Sequence, residues 1–278
     1  DFDGYINFKP AKFINIQAGY GKHFWGDGYR SLLLSDYATS YPYLAFNASF
    51  WRLKYTYLFN FLEDGSTADI SNDFKMNKKY GVFHMLSIDA AKWLEISFFE
   101  SVLWFNSDSS GTRGIEVNYL NPMVFMRPVE FALGSPDNIA LGFNLKFKPS
   151  KHLNIYSQVL LDDLDIKFMR LGKGFYRNKV AFQLGLKGFD IFKVSRLDAQ
   201  LEINGVRPYV YAHKVPAQNY THNNMPLAHP LGANFIELMA FLRYEKNRFY
   251  GNLKLLIARQ GRDDFDQHNG SDIFRSDF

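Results

Sequence analysis

Alternation with a period of two is the feature that most restricts what this chain can fold into. Val180, Phe182, Leu184 and Leu186 alternate with Ala181, Gln183, Gly185 and Lys187. Leu197, Ala199, Leu201 and Ile203 alternate with Asp198, Gln200, Glu202 and Asn204, and Leu141, Phe143, Leu145 and Phe147 with Gly142, Asn144, Lys146 and Lys148. Later, Ile236, Leu238, Ala240 and Leu242 face away from Glu237 and Arg243, and Leu253, Leu255 and Ile257 from Asn252 and Lys254. Successive side chains of a strand point to opposite faces, so each run is a strand with one greasy and one wet face.

About twelve such runs are readable, near 4–9, 13–20, 43–50, 51–61, 80–88, 92–105, 138–148, 152–162, 179–188, 196–205, 235–245 and 248–259. Pro10-Ala11-Lys12 and Pro149-Ser150-Lys151 mark sharp turns, because proline cannot continue a ladder. A soluble sandwich also alternates. Strands of about nine to twelve residues are instead the length a tilted strand needs to cross a bilayer, whereas soluble strands are about five or six. A wet face carrying Gln, Asn, Lys, Glu and Asp suits a polar lumen. The expected fold is therefore all-β: an antiparallel transmembrane outer-membrane β-barrel with about twelve or more strands in this chain, part of a larger barrel. It forms a single domain over 1–278, as a portion of a longer precursor.

Composition agrees with this expectation. The 28 Phe and 17 Tyr are more than a soluble core needs and fit girdles at two membrane interfaces. No run approaches the roughly eighteen apolar residues of a spanning helix. The net charge of +4 is spread without a basic stripe, which disfavours nucleic acid. Cysteine is absent, so there is neither a disulfide framework nor a thiolate metal site. The chain opens on Asp1-Phe2-Asp3-Gly4 and enters a strand directly, as after removal of a leader or within a longer precursor.

Long connections fall at 21–42, 62–79, 106–137, 163–178 and 212–234. The polar stretch 63–79 reads as a solvated loop. The apolar stretch 118–131, with Pro122 and Pro128, is expected to pack with the 21–42 loop inside or over the barrel mouth. The least generic stretch is 21–36, GKHFWGDGYRSLLLSD. Gly26 and Gly28 flank Asp27 and permit positive φ on either side of a carboxylate. Trp25 and Tyr29 would pack this loop down, with Asp27, Arg30 and Asp36 in a charge-assisted network.

That stretch, followed by Tyr41-Pro42-Tyr43-Leu44, resembles the loop of the bacterial Wzi-like capsule-assembly family, which includes gliding-motility proteins of the RemB type. Asn121-Pro122 to Phe131, then Gly134-Ser135-Pro136-Asp137-Asn138, and Tyr156 to Asp163 extend the likeness in the same order over positions 20 to 165. The resemblance implies a bacterial outer-membrane β-barrel with a polysaccharide-linked or cell-surface role. Its partners would be outer-membrane lipid, surface polysaccharide and other outer-membrane, secretion or motility proteins. Family members are longer than this chain.

Sugar contact would come from rings stacking on sugar faces and from carboxylates accepting hydroxyls, with Trp25, Asp27, Tyr29, Arg30 and Trp104 as candidates. A structural network of Gly26, Gly28, Asp36, Arg127, Glu130, Asp162 and Asp163 is expected around the loop, with Arg30 bridging at least one of Asp27, Asp36, Glu130 and Asp162. Asp162 and Asp163 are adjacent on a strand, point to opposite faces, and so do not form a glycosidase pair. His213, His222 and His229 read as surface histidines with no metal spacing. Asp263, Asp264, Asp266, Asn269 and Asp272 resemble a calcium loop in composition only. No cofactor, metal or catalytic residue is assigned. The alternatives are a passive diffusion porin and a soluble carbohydrate-binding or glycosidase sandwich.

Overall fold

The computed structural model describes residues 2–69, 75–108, 111–120, 137–162, 179–264 and 266–277. Twelve strands form one antiparallel sheet in chain order: β1 (Gly4–Ala11), β2 (Ile14–Gly21), β3 (Tyr41–Phe50), β4 (Leu53–Asp69), β5 (Lys75–Ala91), β6 (Leu94–Phe105), β7 (Asn138–Ser150), β8 (Leu153–Asp162), β9 (Lys179–Gly188), β10 (Leu197–Val206), β11 (Phe235–Lys246) and β12 (Phe249–Gln260). Each strand pairs with its predecessor, and β1 and β12 are the two edges. Helix is limited, among the described residues, to 3₁₀ turns of three or four residues. Short connections gather at one end of the sheet and long ones at the other.

The runs read from the sequence correspond to these twelve strands, but β4 and β5 are longer than expected. Glu63 pairs with Lys78 and Asp64 with Asn77, so most of the supposed solvated loop is ladder. Leu62, Asp64 and Lys79 are buried. The polar composition of this stretch misled because this sheet uses polar residues on its covered face.

Which face is covered follows from the register. Asn144, Gln158, Gln183, Asn204 and Glu237 are successive cross-strand partners over β7–β11 and form one row on one face. All five are buried. The opposite face of β9 carries Phe182 and Leu184, which are 45% and 53% exposed, while Gln183 between them is 1% exposed. Along this row the polarity is inverted, with polar side chains on the inner face and apolar ones on the outer, whereas β4–β6 bury apolar side chains on both faces.

Two apolar clusters sit on opposite faces. The inner one is built largely from loops and includes Leu32, Leu33, Leu34, Tyr211, Tyr220 and Leu227 against Leu58, Phe83, Leu103 and Leu160 of the sheet. The outer one joins Tyr57, Phe59, Tyr80, Val82, Val102, Trp104 and Ile139 of β4–β7 with Tyr119. Tyr119 sits in a 3₁₀ turn, Val117–Leu120. The segment after β6 was expected to pack with the 21–42 loop; residues 121–136 of it lie outside the described residues. Tyr119 instead lies on the far face of the sheet, where Tyr57 donates through its hydroxyl to the Tyr119 carbonyl at 3.2 Å.

Candidate functional site: a loop docked on the polar face

The connection between β2 and β3 enters the curve of the sheet and is tied by the polar row beneath it. Trp25 and Leu34 form an isolated antiparallel bridge, with the Trp25 N–H donating to the Leu34 carbonyl at 2.9 Å, so the loop closes on itself first. Gln158 then reads both arms: its Oε1 accepts the Leu32 N–H at 2.8 Å and its Nε2 donates to the Trp25 carbonyl at 3.1 Å. Gln183 donates to the Arg30 carbonyl at 2.9 Å.

Glu202 is the strongest anchor. Its carboxylate accepts the Tyr29 N–H at 2.6 Å and the Arg30 N–H at 3.0 Å. The Tyr156 hydroxyl at 2.6 Å and Asn204 Nδ2 at 3.0 Å saturate and orient the same group. Buried acceptors carrying charge make the stronger hydrogen bonds, and here they meet backbone N–H groups that the loop cannot pair internally. Below this polar layer, Leu32, Leu33 and Leu34 are fully buried. Their carbonyls remain satisfied: Tyr211 donates to Leu32 O at 2.8 Å and Tyr220 to Leu33 O at 2.6 Å. Those tyrosines come from the connection between β10 and β11, a second inner loop that also accepts the Ser35 N–H at Leu227 O, 2.8 Å away.

Gly26 has a φ of 150°, as the sequence suggested, and a Cβ there would lie 2.3 Å from Gln158 Nε2. Gly28 is required for a different reason. It is not among the positive-φ residues, but a Cβ on it would meet Glu202 Oε2 at 2.7 Å and Gln183 Oε1 at 2.8 Å.

The charge network differs from the expected one. Asp27 pairs with Lys146 and accepts from Asn144 Nδ2 at 3.3 Å, while its carbonyl accepts from Lys187 Nζ at 2.5 Å. Arg30 faces Glu237, Nε to Oε2 3.8 Å, rather than Asp27 or Asp36. Glu237 is also 2.8 Å from His229 Nε2. Asp36 is exposed on the loop, and Asp162 accepts the Tyr211 N–H at 2.7 Å. Arg127, Glu130 and Asp163 lie outside the described residues. The sequence reading missed Glu202, Gln158 and Gln183, which look like ordinary wet-face positions; their shared parity on neighbouring strands was the available signal.

Trp104 is not a sugar-stacking surface. It is fully buried in the outer cluster, 5.0 Å from the Tyr119 ring, and donates to Gly114 O at 3.1 Å. Trp25 and Asp27 do border open space, a cavity of about 320 Å³ also lined by Lys54, Glu95, Asn144 and Lys146. Tyr29 borders another, about 410 Å³, where Lys254 donates to its hydroxyl at 2.7 Å. The three loop histidines are buried rather than exposed, because the loop carrying them folds into the sheet. His222 accepts the Glu63 N–H at 3.1 Å. Burial holds both His23 and His222 down to a pKa of about 4. The Asp263 carboxylate is filled by the N–H groups of Ser271 at 3.1 Å and Asp272 at 2.7 Å, by the Asn269 N–H and by His268. It organises a turn.

The fold and site thus define a class: a curved antiparallel sheet whose inner face holds an ordered loop and whose outer face is covered by the Tyr119 turn over β4–β7 and exposes apolar side chains over β9–β12. No family model, curated protein or solved structure matches the chain.

Proposed function

We propose that this sheet is the wall of an outer-membrane β-barrel, non-enzymatic, with the 22–40 loop as an interior plug, and that it serves surface polysaccharide attachment or gliding-type surface machinery. The observation that carries the membrane reading is the inverted polarity. Soluble proteins rarely expose contiguous apolar patches beyond a few hundred Å², whereas Leu44, Phe182, Leu184, Leu201, Ile236, Leu238, Leu253 and Ile257 all stand exposed on the outward face. In a bilayer that face is matched to hydrocarbon and the polar row to a lumen. Exposed rings at the short-turn end, among them Phe13, Phe50, Trp51, Trp93 and Phe249, fit an interfacial girdle. The polysaccharide role rests on the resemblance of the 21–36 stretch, with Trp25, Asp27 and Tyr29 bordering the cavities available to a ligand. A passive porin is disfavoured by a loop so fully bonded across the interior.

Nitroxides at Phe182, Leu184 and Leu253 of the reconstituted chain test the reading. Relaxation by oxygen should exceed relaxation by a water-soluble nickel complex at all three. Preferential access of the nickel complex would overturn the membrane assignment and return the soluble sandwich.

A further inference from the structure

The short-turn end combines two properties, concentrated positive charge and exposed rings. In the six connecting segments 9–12, 50–54, 89–93, 148–152, 189–196 and 245–250 stand Lys9, Lys12, Arg52, Lys54, Lys92, Lys148, Lys151, Lys193, Arg196, Lys246 and Arg248, eleven cations against the three carboxylates Asp89, Asp190 and Glu245. All eleven are exposed, with Arg52 and Lys54 also lining the inner cavity beside Trp25 and Asp27. The whole chain has 32 Lys and Arg and 28 Asp and Glu, so outside these segments acids outnumber bases, 25 to 21. The positive charge of the protein is therefore a property of one rim. Few of these cations are neutralised locally: Arg196 lies 3.7 Å from Glu245, and Arg52 turns to the Ala90 carbonyl at 3.3 Å. Exposed rings stand between the cations, with Trp51 83%, Phe192 88% and Phe249 78% accessible.

We propose that this rim is a binding surface for the headgroups of anionic phospholipids in the leaflet it faces. The inference rests on the membrane reading. If the outward apolar face meets hydrocarbon, the rim lies at headgroup depth, where rings anchor at the boundary and flexible lysines reach phosphate. Charge complementarity selects the anionic lipid: each Lys or Arg near such a surface is worth about a five-fold preference. The surface is a ring contributed by every short turn rather than a pocket, so it engages several headgroups at once and is screened by salt.

Trp51 and Trp93 are the native reporters, because Trp25 is packed in the plug and Trp104 in the outer cluster. The full chain is reconstituted in vesicles of phosphatidylcholine and phosphatidylglycerol, with bromine placed near the headgroup of one or the other. At low salt the brominated phosphatidylglycerol should quench tryptophan emission about five-fold more effectively. The preference should disappear in 0.5 M salt and fall measurably in the quadruple variant Lys12→Gln, Lys151→Gln, Lys193→Gln, Arg248→Gln, whose strand circular dichroism should match the parent. Equal quenching by both lipids would overturn the rim proposal while leaving the membrane reading intact. So would a preference undiminished in the variant, or binding of soluble dextran sulfate in detergent without lipid preference. Quenching by neither lipid would overturn both.

Discussion

Replacing Glu202 by Ala tests the plug more severely than any change within the loop itself. The substitution removes the acceptor of two loop N–H groups, at 2.6 and 3.0 Å, and leaves the Tyr156 hydroxyl and Asn204 amide facing a void. Hydrogen bonds to charged acceptors contribute about 1.5–3 kcal/mol each, so losing two weakens docking by roughly 3–6 kcal/mol. Exchange of the Tyr29 and Arg30 amides should accelerate by about 10² to 10⁴, while amides in the β8–β11 ladders, which do not use this carboxylate, stay protected. Arg30→Ala is the contrast. Its guanidinium sits 3.8 Å from Glu237, beyond hydrogen-bond reach, and the buried Glu237 carboxylate keeps His229 and the Asn204 amide as partners, so removing the guanidinium should loosen the loop less than loss of the two Glu202 bonds. Hydrogen exchange on both variants decides the matter. If Arg30→Ala loosens residues 22–36 as much as Glu202→Ala does, the loop is held by its charge and not by its backbone.

Trp104→Ala should cost about 3–5 kcal/mol in the outer cluster and expose residues 113–120 to protease while the inner loop remains protected; equal loosening of both would refute the separation of the two clusters. Acidification should act on the inner loops. His23 and His222 are held neutral by burial at a pKa of about 4 against 6.5 when unfolded, and His229 is lowered by burial against the pull of Glu237. A depressed histidine favours the folded form above the unfolded pKa, and that stability is lost as pH falls from about 6.5 towards 4, roughly 3 kcal/mol for each of the first two. Limited proteolysis of 22–40 and 207–234 between pH 7 and 4 should show cutting that rises with acidity; resistance unchanged at pH 4 would sink this account.

Strand identity was legible because it depends only on local alternation, and Val180 to Lys187 shows the pattern without help from any partner. The limits of β4 and β5 were not, since Glu63, Asp64 and Lys78 carry loop-like composition yet pair in a ladder. Burial of His222 and His229 was hidden for a related reason: nothing local says that a long polar connection turns inward. Gly26 disclosed itself through its neighbourhood, whereas the need for Gly28 becomes visible only once Glu202 and Gln183 arrive from strands more than 150 residues away. Trp104 looked like a binding ring because aromatic residues at strand ends serve both purposes, and only the covering turn at Tyr119 decides between them. Docking partners distributed over four strands leave no contiguous motif.

The separation between the plug and its anchors also sets an order of events. Tyr29 and Arg30 meet Glu202 across 173 and 172 positions, while every strand of the sheet pairs with its immediate predecessor. A contact across so many positions carries a larger loop-closure cost than pairing of neighbouring strands, and the 22–40 segment has no receiver until β8, β9 and β10 are in place. Until β10 is laid down, the polar trough has no carboxylate with which to hold those two amides. Strand pairing between neighbours should therefore come before docking of the 22–40 segment, and the Tyr29 and Arg30 amides should gain exchange protection later in refolding than the β8–β10 ladders.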